Sequence, residues 1–155
     1  MGKTLDEALA TLPSEALHRN GLLVIAPQGA GKTRYCDTHP QWCDSDKVFL
    51  AAGLMKRQQE ASPETLKQWE KQNQELKRRG YWVLSSAWWS LKDADAVVLP
   101  TRSQLVHRLS QKTGQDKIAD PEFAADNQLR LLREWAAKSG KLVYASIGEA
   151  CYMTP

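Results

Sequence analysis

The chain has 155 residues, enough for one packed domain and too few for two of ordinary size. Hydrophobic residues make up 42% and charged residues 25%, proportions that exclude a disordered, collagen-like or low-complexity chain. Lys and Arg number 21 against 18 Asp and Glu, a formal charge of +3 that suits anionic ligands without demanding nucleic acid.

In chain order, Thr4-Leu5-Asp6-Glu7 has the form of a capping box and predicts a short helix that stops before Pro13. Ser14 caps a second short helix ending near Gly21. The apolar run Leu22 to Ala26, set between Gly21 and Pro27, reads as a strand buried on both faces. A helix over about 32–38 and a short strand, Gln41-Trp42-Cys43, ending at Asp44, follow it. Ser62-Pro63-Glu64 opens a longer helix with Leu66, Trp69, Asn73 and Leu76 on one stripe, closed at Gly80. Tyr81 to Ser85, Asp95 to Pro100 and Lys141 to Ala145 read as strands. Between the last two lie helices from Ser103 to Lys112 and from Asp120 to Gly140, the second with Phe123, Leu129, Leu132 and Trp135 or Ala136 as its apolar face. Strands alternating with helices imply an α/β fold with a parallel sheet covered on both faces, in a single domain spanning residues 1–155.

The segment Ala26-Pro-Gln-Gly-Ala-Gly-Lys32-Thr33 joins the best strand to a helix start, the context in which a Walker A pattern carries weight. Gly29 and Gly31 admit backbone conformations closed to other residues, so that amides from Gln28, Gly29, Ala30 and Gly31 onward turn toward phosphate oxygens. Lys32 adds a full positive charge that reaches the β- and γ-phosphates, Thr33 offers its hydroxyl to Mg²⁺, and Arg34 follows at the same helix start. Ala26 replaces the usual first glycine, where smallness is the requirement. A second Gly-Lys-Thr at Gly2 to Thr4 has no strand before it. The length is short for motor and oligomeric ATPase modules, and the DxxG and NKxD motifs of GTPases are missing.

On these residues the chain resembles, over most of its length, the small P-loop phosphotransferases: the nucleoside monophosphate kinase, shikimate kinase-like and polynucleotide kinase-like group. The resemblance implies a P-loop three-layer sandwich with a five-stranded parallel sheet in the order 2-3-1-4-5, ATP and Mg²⁺ as cofactors, and transfer of the γ-phosphate to a hydroxyl or phosphate of an acceptor. Asp44-Ser45-Asp46 is similar to the DxD of shikimate and polynucleotide kinases, which assigns Asp44 to the metal and Asp46 to the acceptor. An aspartate in reach of an acceptor hydroxyl can orient and deprotonate it. Pro100 followed by Arg108 and Lys112, one turn apart, resembles the helix leading into the lid of adenylate kinase-like enzymes and implies contact with ATP and the transferring phosphate. Arg102 is a further candidate there, Arg130 and Arg133 lie on the next helix, and residues 113–123, with Lys117, correspond to the lid.

The segment over about 47–80 takes the place that covers the acceptor. It carries Lys56, Arg57, Lys67, Lys71, Lys77, Arg78 and Arg79 against Glu60, Glu64, Glu70 and Glu75, and Lys56 or Arg57 suits a phosphorylated acceptor. The third strand ends in Ser85-Ser86-Ala87, without the Asp-Arg pair of thymidylate kinases or the glycines of shikimate kinases, so Ser85 and Ser86 are acceptor or water contacts. Trp88 or Trp89 can stack on a nucleobase, although one of them is expected in the core. The expected partners are ATP and an anionic or nucleotide-like acceptor, with no membrane. A hydroxyl on DNA or RNA is the first alternative acceptor, and the six tryptophans leave room for stacking of single-stranded nucleic acid. A non-catalytic, nucleotide-dependent binding module is the second alternative. His39 and His107 have no partner pattern and read as incidental. Cys36, Cys43 and Cys151, an odd set without a CxxC pair, read as reduced structural thiols. With no apolar leader and no run long enough to cross a bilayer, the expected location is the cytoplasm.

Overall fold

The computed structural model of the chain describes residues 5–51, 62–114 and 117–154. Five strands, β1 (Leu22–Ile25), β2 (Trp42–Asp44), β3 (Trp82–Ser85), β4 (Ala96–Val98) and β5 (Leu142–Tyr144), form one all-parallel sheet in the order β2-β3-β1-β4-β5. The helices are α1 (Leu5–Leu9), α2 (Lys32–Thr38), α3 (Ser45–Ala51), α4 (Pro63–Arg79), α5 (Arg102–Ser110), α6 (Pro121–Ser139) and α7 (Ile147–Met153).

Alternation along the strands builds two cores from one sheet. Leu23 and Ile25 of β1, with Val83 and Val97, pack against Leu76 of α4 and Leu132 and Ala136 of α6. Val24 and Ala26, with Leu84, Ala96 and Val98, pack on the opposite face against Ile147, Ala150 and Cys151 of α7 and against Tyr35 and Cys36 of α2. Leu23, Val24 and Ile25 are all fully buried, each contributing about 1.5–3 kcal/mol of hydrophobic stabilisation, so β1 anchors both layers.

The long helices begin and end where their cap residues stand. Ser62 accepts the Thr65 N–H ahead of Pro63, and Asp120 accepts the Phe123 N–H ahead of Pro121. Three features differ from the sequence expectation. The helix at Ser14 is a single 3-10 turn, Ser14–Ala16, because Leu17 pairs with Tyr81 in an antiparallel bridge and His18 donates its N–H to the Gly80 carbonyl at 2.8 Å. On α6 the buried stripe is Ala125, Leu129, Leu132 and Ala136, while Phe123 is 69% exposed and Trp135 43%; Phe123 stands in the first turn, outside that stripe. Two further helices were not expected: α3, which starts directly from β2, and α7, capped by Ser146 on the Glu149 N–H. Thr4 of the first capping box lies outside the described residues, and α1 begins directly after it.

Candidate functional site

All five parallel strands end on the same side of the sheet, where ligands of open α/β folds bind. The loop from Ala26 to Gly31 leaves β1 there. Ala26 donates its N–H to the Ser85 carbonyl at 2.9 Å and is fully buried, so only a small side chain fits at the position where a glycine is usual. Gly29 and Gly31 take φ of 87° and 97°, the left-handed region, and a Cβ on Gly31 would stand 3.4 Å from the Arg108 guanidinium. The glycines thus form a cradle whose concave side stays open.

Lys32 opens α2 and is buried, with its ammonium donating to the carbonyls of Pro27 at 2.9 Å and Ala26 at 3.3 Å. The same ammonium stands 3.7 Å from Asp46 Oδ2. Thr33 Oγ1 donates to Asp44 Oδ2 at 2.7 Å. Asp44 Oδ1 accepts the N–H groups of Asp46 at 3.1 Å and Lys47 at 3.4 Å, so Asp44 closes β2 and caps α3 in one side chain. Asp46, in the first turn of α3, turns Oδ1 to the end of β3, where the Ser86 N–H donates at 3.1 Å and Ser85 Oγ at 3.5 Å. Burial raises the Asp46 carboxyl above the ordinary carboxylate range; the Lys32 ammonium opposes this, Asp44 adds to it and the Ser86 hydrogen bonds oppose it. Both aspartates are buried at 6% exposure, which rules out a solvated turn for the Asp-Ser-Asp segment.

These groups share one cleft of about 1190 Å³. Gln28, Gly29, Ala30, Gly31, Lys32, Thr33, Arg34, Asp44, Asp46, Arg108 and Lys112, all expected from the sequence, line it together. Arg108 Nη1 donates to the Ala30 carbonyl, which seats the end of α5 on the glycine loop. Five cations, Lys32, Arg34, Lys47, Arg108 and Lys112, face two carboxylates, so the cleft is arranged for an anion.

Other expected residues stand elsewhere. Arg102 points to Asp126 on α6, with Nε at 2.7 Å, and does not line the cleft. Ser85 is fully buried beneath Asp46, and both Ser85 and Ser86 hold that carboxylate instead of lining the cleft. Trp88 packs against Trp89 and Trp135, and Trp89 packs on Trp69 with its indole N–H on the Leu66 carbonyl, so both rings are used by the fold. Arg130 bonds to Asn127 and faces Glu134; neither it nor Arg133 nor Lys117 lines the cleft. Lys56 and Arg57 lie outside the described residues, as do residues 115–116 of the expected lid.

The cleft also recruits residues that sequence reasoning passed over. His107, read as incidental, lines it one residue before Arg108, together with Gln104 and Gln111 on the same helix face. Lys47 lines it from α3, Ala145 and Ser146 from the turn after β5, and Ile147 and Gly148 from the start of α7. Gln128 of α6 accepts the Gln28 N–H at 2.7 Å and so braces the glycine loop from the helix after the expected lid. The i, i+3, i+4 spacing of Gln104, His107, Arg108 and Gln111 was a readable signal for one helix face; the Gln28 to Gln128 contact, a hundred residues apart, had none.

Magnesium, implied by the resemblance, takes one or two carboxylates and keeps waters or phosphate oxygens for its remaining positions. The Thr33 hydroxyl already held on Asp44 is a donor set of that size, and the residues fit the ion. Among the described residues there is no group of three or more His, Cys, Asp or Glu placed to hold a metal by themselves. Cys36, Cys43 and Cys151 are free thiols. Among the described residues no helix is long and apolar enough to cross a membrane. No protein-family model, no curated protein and no solved structure matches this chain.

Proposed function

We propose that the chain is an ATP-dependent phosphotransferase of the P-loop kinase type, acting on a hydroxyl of a small nucleotide-like or otherwise anionic acceptor. The observation that carries this reading is the convergence of Lys32, Thr33, Asp44 and Asp46 on one side of a glycine cradle, through contacts of 2.7 Å and 3.7 Å.

In this reading the loop amides and Lys32 hold the β- and γ-phosphates, and Arg108 and Lys112 approach them from α5. Thr33 and Asp44 would hold Mg²⁺, which supplies positive charge to the phosphate oxygens. Asp46 directs the acceptor. Its Oδ1 is held by the end of β3, and its Oδ2 is turned to the Lys32 ammonium at 3.7 Å. A carboxylate fixed beside Lys32 is suited to take the hydroxyl proton as the new oxygen–phosphorus bond forms and the bond to the ADP oxygen breaks. A phosphate acceptor would arrive already ionised and leave Asp46 without that task. Trp88 and Trp89, packed in the fold, lend no support to base stacking of a nucleic acid acceptor.

The test is to measure ATP binding and ATP consumption side by side in Lys32→Ala and Asp46→Asn. Lys32→Ala should lose both. Asp46→Asn should keep its ATP affinity within about threefold while turnover falls by roughly 10²–10⁴, the usual worth of a positioned acid or base. An Asp46→Asn protein that bound and consumed ATP like the parent would refute the assignment.

A further inference from the structure

A polar cluster lies buried between α3, α4 and the end of β3. Ser45, Asn73, Ser85 and Ser90 are each fully buried, and Gln72 is 5% exposed. Asn73 stands at the centre, on the buried stripe of α4 formed with Trp69, Gln72 and Leu76. A buried amide in such a stripe is costly unless each of its groups finds a partner, and here each one does. Asn73 Oδ1 accepts the Ser45 hydroxyl. Its Nδ2 donates to Ser85 Oγ at 3.1 Å and to Ser90 Oγ at 3.2 Å. Gln72 Nε2 donates to Ser45 Oγ at 3.2 Å and to the Ser45 carbonyl at 3.1 Å, which fixes Ser45 as the donor to Asn73.

Counting donors and acceptors then gives Ser85 a direction. A hydroxyl has one proton and two lone pairs. Ser85 Oγ accepts from Asn73 Nδ2 and from the Ala87 N–H at 3.1 Å, so both lone pairs are taken. Its proton is left for Asp46 Oδ1 at 3.5 Å. With the Ser86 N–H on the same oxygen at 3.1 Å, Oδ1 is held by the end of β3, while Oδ2 stands 3.7 Å from the Lys32 ammonium.

We infer that Asn73 is a positioning residue: acting through Ser85, it orients the Asp46 carboxylate and ties α4 to the group that receives the acceptor. The inference rests on the kinase reading for its catalytic consequence, although the hydrogen-bond relay itself does not. It also gives the end of β3 a role other than substrate contact. Ser45, between the two aspartates, joins the same amide to the start of α3, so displacement of α4 would reach Asp46 along two routes.

The experiment compares Ser85→Ala, Asn73→Ala, the double variant and Ser90→Ala, measuring kcat and ATP affinity for each. Ser90 bonds the same amide without touching Asp46, and so controls for loss of packing. The relay requires kcat about tenfold lower in Ser85→Ala and Asn73→Ala, in keeping with one hydrogen bond to a charged group, and no lower in the double variant. ATP affinity should hold throughout, and Ser90→Ala should match the parent. Losses that add in the double variant, or a Ser90→Ala loss equal to that of Ser85→Ala, overturn the relay. If Asn73→Ala does not fold, Ser85→Ala against Ser90→Ala decides alone. A parent that transfers no phosphate refutes the kinase reading separately, and urea midpoints then decide the relay. Combined with Asp46→Asn, Ser85→Ala must be non-additive and Ser90→Ala additive, whereas additivity in both removes it.

Discussion

Asp44 joins two roles in one side chain, and replacing it by Asn or by Ala separates them. Its Oδ1 caps α3 through the Asp46 and Lys47 N–H groups, and its Oδ2 receives the Thr33 hydroxyl. Asparagine keeps one oxygen for the cap and turns an amide toward Thr33, whose hydroxyl can accept in place of donating. Asp44→Asn should therefore cost about 1 kcal/mol or less in unfolding free energy. Alanine removes the cap and leaves the Asp46 and Lys47 N–H groups without that partner, a loss of about 1–2 kcal/mol. Urea unfolding without ligand reads this difference. Calorimetric titration of ATP with and without Mg²⁺ reads the other role: both variants remove the carboxylate charge, so the gain in ATP affinity from Mg²⁺ should shrink roughly tenfold or more in each. An Asn variant as unstable as the Ala variant would refute the cap, and an unchanged Mg²⁺ effect would refute the metal assignment.

The other predictions contrast neighbouring residues. Arg108→Ala should weaken ATP binding about tenfold or more through loss of a charge-assisted contact, whereas Arg102→Ala, its partner Asp126 lying away from the cleft, should leave ATP affinity at the parent value; equal losses in a binding titration would contradict the placement. Gly31→Ala should weaken ATP binding roughly tenfold while urea unfolding stays cooperative, since a side chain at φ 97° costs about 1–2 kcal/mol in the cradle; wild-type ATP affinity would contradict the geometry. Stability should fall above about pH 9. Burial pushes Cys43 and Cys151 from 9.0 up to about 12 and raises Cys36 as well, so the native state keeps thiol protons that the unfolded chain releases. The contribution is present below the unfolded value and is lost as pH rises through the folded one. Cys43 alone gives a slope of about 1.4 kcal/mol per pH unit across that window. Urea midpoints from pH 8 to 11 should show the decline, with a shallower one in Cys43→Ala, and identical profiles would contradict it.

Much of the fold could be read from local chemistry. The run Leu22 to Ala26 is apolar at every position, which is the pattern of a central strand, and it became β1 with both faces buried. Ser62-Pro63 and Asp120-Pro121 marked helix starts because a cap side chain and a fixed proline φ are properties of two adjacent residues. The observed strand order agrees with the expectation from the resemblance. Where local chemistry misled, long-range pairing prevailed: Leu17 followed Tyr81 into a bridge instead of continuing a helix from Ser14. In the site, the glycine loop and the Asp-Ser-Asp segment were legible because their spacing along the chain mirrors their spacing in space. The partners of Ser85 and Trp88 are not legible, because a strand end states which residues arrive at the cleft edge and not which way they face. Asn73 was visible only as a polar residue on an apolar stripe. Its three serine partners come from α3, the end of β3 and the 3-10 turn Trp88–Asp93, and no spacing along the chain connects them.

The most direct test of the central claim is transfer of labelled γ-phosphate from Mg²⁺-ATP to nucleosides, nucleoside monophosphates, small hydroxylated metabolites and 5′-hydroxyl oligonucleotides, with Lys32→Ala as the blank. The expected result is label on a hydroxyl of one acceptor class, absent from the blank. Tight, Mg²⁺-dependent ATP binding with no label on any acceptor would contradict a phosphotransferase and leave a nucleotide-binding module.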